Sequence, residues 1–285
     1  MLRTFQNQSL LVFLLLTFAF SWCFWIPAAL LFRGELQGQA VWSMPRMILL
    51  QTLGAVGPSL MAFVVVWSRS GPAGVRAFVH RGFQGRPGWW LAGCLLVPAL
   101  ALLAVMLHPL LDPAYVMPDD APLKPMLRDI GWTGVLLTFP MVLLSQVFSS
   151  PLMEEFGWRG FALPHLQVRF GALVANLILG VLWGVWHLPL VIAYGDAFGP
   201  YMLLILANAL LMGFLFNSSG GHMLVALLVH ASMNVGLNIF SVERNDPVLI
   251  VLSWVCVLVV LWRFGARDFA VRPRVQWSWP EKEKP

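Results

Sequence analysis

The sequence predicts an all-α, polytopic integral membrane protein with about eight transmembrane helices and a site inside the helix bundle. Three observations carry this. Of 285 residues, 59% are hydrophobic and 11% charged, against about 25% charged in a soluble domain. Apolar runs long enough to cross a hydrocarbon core of about 30 Å, which takes roughly 20 helical residues, recur from end to end. The few ionisable residues inside those runs gather in one half of the chain.

The spans follow in order at 10–32, 46–67, 89–111, 131–152, 171–193, 200–216, 222–240 and 247–264. The first is too long for a signal-peptide core and is broken by Trp22, Trp25 and Pro27, so it reads as a retained span. Residues 69–87 form a basic, glycine-rich loop with room for an amphipathic helix, and 123–129 an interfacial piece before the fourth span. Asn217-Ser-Ser-Gly-Gly221 is a tight polar turn. Residues 1–285 read as a single membrane domain ending in a tail at 265–285. Trp42, Trp67, Trp89, Trp90, Trp132 and Trp262 lie near span ends, as an interfacial aromatic belt does.

With both termini in the cytoplasm, thirteen Lys and Arg residues fall on the cytoplasmic side and five opposite, which satisfies the positive-inside rule. The tail then lies in the cytoplasm. The plain architecture suggests a bacterial plasma membrane. The net charge of +5 is scattered rather than clustered with aromatics, which argues against a nucleic-acid partner. Cys23, Cys94 and Cys256 show no paired spacing, so neither a disulfide framework nor a cysteine metal site is expected.

The fourth span ends in Pro151-Leu-Met-Glu-Glu-Phe-Gly-Trp-Arg-Gly160. Carboxylates at membrane depth cost roughly 2.5–3.5 kcal/mol each on insertion scales, which makes them candidate site residues by default. On a helix, Glu155 and Arg159 share a face and pair, while Glu154 points elsewhere and stays free for chemistry. The fifth span carries Trp183-Gly-Val-Trp-His187-Leu-Pro189: Trp183 shares a face with His187, and Pro189 disturbs the helix just beyond it. The seventh carries His230-Ala-Ser-Met-Asn234, an imidazole and an amide one turn apart. Two histidines and a carboxylate can hold a catalytic zinc-like ion with an open position for water, and they can equally work as an acid–base set without metal. His80 and His165 read as solvated loop residues, and His108 and His222 as interfacial. Asn176, Asn208 and Asn238 could bond across helices or line a cavity.

Glu-Glu-x-x-x-Arg at 154–159, aromatic-x-x-x-His at 183–187 and His-x-x-x-Asn at 230–234, in that order, resemble the CPBP intramembrane proteases. That family includes CAAX prenyl endopeptidases, bacteriocin-processing enzymes and abortive-infection-type proteins. The resemblance covers residues 131–240. One departure is Trp183, where the family usually has Phe. The resemblance implies an intramembrane endopeptidase in which Glu154 activates a water that His187 binds, directly or through a divalent metal, zinc by preference. His230 and Asn234 would complete the ligand set of Glu154, His187 and His230 or stabilise the oxyanion. Glu155 and Arg159 would form the scaffold pair, and a peptide or protein substrate would enter from the membrane or the cytoplasm. Two other classes share the features: a silent scaffold or immunity protein of the same fold, and a proton-coupled transporter. The transporter class often shows repeats in both halves, which this chain lacks.

Overall fold

The computed structural model describes residues 2–32, 45–119 and 121–276, and every regular element among them is helical. Arg33 and Trp42, and the tail from Trp277 on, lie outside the described residues. The helices are α1 (Leu2–Phe32), α2 (Pro45–Ala55), α3 (Gly57–Gly82), α4 (Trp90–Leu111), α5 (Leu123–Val147), α6 (Ser150–Glu155), α7 (Leu163–Arg169), α8 (Ala172–Trp186), α9 (Leu188–Tyr194), α10 (Phe198–Ser218), α11 (Met223–Ile239) and α12 (Pro247–Phe264). The protein is an integral membrane protein, all-α and polytopic.

All eight expected segments are helical. Among the described residues six segments are long and apolar enough to cross a membrane, or seven when α8 and α9 count as one bent span. The remaining segment, α11, is an apolar helix of 17 residues, slightly shorter than the others, and it packs against α4, α5, α6 and α10.

Two long segments are broken where the sequence permits it. In α3 the chain kinks at Gly71, whose φ of 62° suits only glycine, just before Pro72. The piece beyond carries Arg76, His80 and Arg81 and is the short helix expected in the basic loop. A second kink at Gly131 (φ 63°) sets the first turns of α5 apart, matching the interfacial piece expected there.

Small polar residues tie the layers together, as they do where lipid supplies no hydrophobic drive between helices. Ser21 Oγ donates to the Gly54 carbonyl at 2.7 Å, Ser59 Oγ to Leu152 at 2.9 Å and Ser232 Oγ to Gly93 at 2.7 Å. Trp25 Nε1 reaches the Gln51 carbonyl at 3.0 Å.

The tail does not leave the bundle at Gly265. The carbonyls of Arg267 and Ala266 accept from Ala172 N (2.7 Å) and Leu173 N (3.1 Å), two of the N–H groups that the first turn of α8 cannot pair internally. Gln167 and Asn217 exchange amide hydrogen bonds at 3.0 and 2.7 Å, and Val275 bonds to both, its N–H to Asn217 at 3.1 Å and its carbonyl to Gln167 at 2.8 Å. Phe269 is fully buried. The polar turn expected after α10 is therefore an interior anchor for the strap 265–276.

Candidate active site

Glu154 and Glu155 end α6, and Phe156–Ala162 then continue as a π-helix. Wide turns of this kind are frequent at functional sites. Gly157 sits in the turn because a Cβ there would overlap the Pro58 backbone at the start of α3. The turn is thereby pressed into the protein, and Phe156 to Ala162 are all buried.

The two carboxylates have different partners. Glu155 Oε1 accepts from Arg159 Nη1 at 2.8 Å, with both side chains fully buried. It also accepts from His230 Nδ1 at 2.7 Å. Two bonded partners offset the several kcal/mol that burying a carboxylate costs. The expected scaffold pair is thus a triad that includes His230. Glu154 Oε2 accepts instead from the neutral indole, Trp183 Nε1, at 2.8 Å. Trp183, expected on the face of His187, is therefore also a donor. Its ring lies under the Arg159 guanidinium, 4.3 Å from ring centre to Cζ, and Arg159 Nη2 points at Met212 Sδ, 3.2 Å away on α10.

His187 occupies the joint between α8 and α9, where the span bends by 49°. Pro189 brings no N–H to the helix, as the sequence predicts. Leu190 N turns to the His187 carbonyl (2.9 Å), and the Trp186 carbonyl accepts from Trp22 Nε1 of α1 at 2.9 Å. His187 Nδ1 lies 2.9 Å from the Trp183 carbonyl. A carbonyl can only accept, so Nδ1 carries the proton and the neutral ring keeps a lone pair on Nε2. Trp25 stacks on the ring at 5.6 Å. On α11, His230 spends its Nδ1 on Glu155, and Asn234 Nδ2 donates to Ser150 Oγ at 3.1 Å.

Glu154, Trp183, His187, His230 and Asn234 line one cavity of about 800 Å³. The structure brings together the candidates drawn from three separate spans. The cavity wall also includes Gln146, Tyr201, Asn208, Tyr194, Asp196 and Arg244. Of these, only Gln146 and Asn208 have a signal in the sequence, as polar residues within spans.

The expected metal set of Glu154, His187 and His230 is not gathered. Among the described residues, no three His, Cys, Asp or Glu side chains are grouped to hold an ion. The Trp183 indole stands in edge contact with both imidazoles, 5.7 Å from His187 and 5.5 Å from His230, and its N–H takes one oxygen of Glu154. Both histidines do have the Nδ1 anchoring common among metal ligands, but this arrangement does not fit a three-ligand centre.

The remaining histidines differ in part from expectation. His80 is exposed, as expected. His165 is no solvated loop residue: it is buried in α7, with Nδ1 bonded to the Phe161 carbonyl, because the π-turn runs into α7 without a break. His108 bonds Asp246 at 2.6 Å and stacks on Tyr115, and His222 is buried against Phe83.

Residues 135–236 match the family described as Type II CAAX prenyl endopeptidase Rce1-like, a stretch that contains every candidate site residue. CAAX prenyl protease 2 of Methanococcus maripaludis is 22% identical over 169 residues, 54% of this chain and 58% of that protein. The match thus spans less than two thirds of that relative's length. Over residues 135–236, the stretch that holds Glu154, Glu155, Arg159, His187, His230 and Asn234, the chain is similar to the CAAX prenyl endopeptidases of the CPBP group.

Proposed function

We propose that the protein is an intramembrane endopeptidase of the CAAX type, hydrolysing a peptide bond near the end of a substrate chain held in the cavity. The observation that carries this reading is the division of labour between the adjacent carboxylates. Glu155 is tied to Arg159 and His230, whereas Glu154 has one neutral donor and lines the cavity.

In this reading Glu154 is the general base. A water held between its carboxylate and the Nε2 lone pair of His187 gives a proton to Glu154 as its oxygen attacks the carbonyl carbon. The carbonyl oxygen becomes an oxyanion that accepts from Asn234, whose amide keeps an N–H beyond the one bonded to Ser150, and from Nε2–H of His230 in its imidazolium form, held by Glu155 through Nδ1–H. Glu154 then returns the proton to the leaving amine as the C–N bond breaks. The water and the peptide come from outside the protein, and the glutamate ends as it began. No step is routed through a metal.

We take the membrane side from the basic residues: with all eight helical segments crossing, both termini lie in the cytoplasm, and the substrate reaches the cavity from the cytoplasm or the cytoplasmic leaflet. The test is cleavage of an internally quenched, farnesylated peptide ending in Cys-Val-Ile-Met by protein in lipid nanodiscs. Glu154→Gln, His187→Ala and His230→Ala should each lose about 10²–10⁴-fold in kcat/KM. Wild-type rates in all three folded variants would remove the reading.

A further inference from the structure

We propose that Asn208 is a substrate-binding residue whose side-chain amide hydrogen-bonds the backbone of a peptide seated in the cavity. The proposal rests on the peptidase reading of that cavity and adds a contact from α10, a helix outside the three motifs.

Asn208 is only 3% exposed, and its Oδ1 is buried without a hydrogen-bond partner. Among the described residues no hydrogen bond joins its Nδ2 to another protein group either. Buried polar groups in native proteins are nearly always paired, so one that is not calls for an explanation. Each of the other helical asparagines from Asn176 on makes at least one side-chain hydrogen bond, although Asn176 Oδ1, away from the cavity, is also unpaired. Asn176 donates to Ala172, Asn217 to Gln167, Asn234 to Ser150 and Asn238 to Asn234. Cross-helix bonding accounts for Asn217 and Asn234, but it does not account for Asn208.

Its position supplies the missing partner. Tyr201, Leu204, Ile205 and Asn208 recur at helical spacing along α10, and all four line the cavity. At one end of this stripe Tyr201 lies edge-on to His187, with ring centres 6.2 Å apart. One turn beyond Asn208, Met212 touches Arg159, the residue stacked on Trp183. Asn208 is therefore bracketed along α10 by contacts to both halves of the site. A primary amide offers one donor and one acceptor direction, the complement of a peptide unit. It is neutral, so it binds without placing a charge in the interior. Leu204 and Ile205 give the adjacent wall an apolar character suited to aliphatic side chains.

The experiment separates stability from binding. Asn208→Leu removes an unpaired buried polar group, so the melting temperature should hold or rise. Affinity for the farnesylated Cys-Val-Ile-Met peptide, measured by fluorescence anisotropy in the Glu154→Gln background so that nothing is cleaved, should fall about tenfold. Asn208→Ala serves as a second variant should the leucine not be accommodated. An unchanged Kd in a folded variant overturns the proposal. So does a fall in melting temperature in both variants, which would make Asn208 a structural residue satisfied by an internal water. The peptidase reading has its own check, because it fails if Glu154→Gln cleaves the peptide like wild type, and the proposal then falls with it. With Glu154→Gln inactive and peptide affinity unaffected by the Asn208 changes, only the proposal fails.

Discussion

The Trp183 indole N–H donates to Oε2 of Glu154 at 2.8 Å, and both side chains are buried. This bond occupies one carboxylate oxygen and so decides which one faces the cavity. A phenylalanine keeps the ring under Arg159 but has no N–H. Trp183→Phe should therefore lower kcat by about tenfold to a hundredfold, the cost of one hydrogen bond to a charged acceptor, with KM changed less than about twofold. Benzothienylalanine at 183, which replaces N–H by sulfur in the same bicycle, should give the same split if the proton and not the ring is responsible. Equal losses in kcat and KM would point to the ring.

The adjacent glutamates should part company in stability. Arg159 is fully buried and serves Glu155 directly, so Arg159→Met leaves a buried carboxylate without its cation. A loss of about 3–5 kcal/mol is expected, read as a large fall in melting temperature. Glu154→Gln keeps an acceptor for the Trp183 N–H and should melt close to wild type while losing activity.

The Trp183 ring stands against both imidazoles, and in the proposed mechanism His187 and His230 make separate contacts with water and substrate. Dialysis against EDTA should leave cleavage within about twofold of the untreated rate. Loss of activity restored by stoichiometric zinc, and abolished by His187→Ala or His230→Ala, would require the indole to swing aside and the two rings to converge.

Gln167→Leu removes both amide bonds to Asn217 and the bond to the Val275 carbonyl. It leaves Asn217 buried with fewer partners, at a cost of about 1–3 kcal/mol. Limited trypsin digestion should then cut after Arg267 and Arg274 faster than in wild type. Equal rates would mean that the strap is held by Phe269 and the backbone alone.

The membrane class was legible because apolar length is a one-dimensional property, and every expected span is helical. For α11, an apolar helix of 17 residues, hydropathy reports an apolar environment without saying how much of it lipid or protein supplies. In the site, spacing along one helix was readable: Glu155 with Arg159, and Pro189 disturbing the chain next to His187. The bond from His230 to Glu155 joins residues 75 apart in sequence, and the rotation of two helices sets it, so no local pattern encodes it. Asn208 was visible as an intramembrane amide, but whether it faced a helix or a cavity depended on packing. His165 was misplaced because Gly160 and Pro164 look like a loop, whereas the backbone passes through them as a π-turn followed by a helix.

That seven-residue π-turn, Phe156–Ala162, makes the number of residues here as consequential as their identity. An α-helix advances about 100° per residue. Deleting Phe161 alone would leave Glu155 and Arg159 in register yet swing α7 around by about that angle, taking Gln167 away from Asn217. The backbone would gain a more regular helix, while the tail would lose its mooring. The site and the far end of the chain are thus kept in phase by one residue, and a change of length in this stretch would be felt at both.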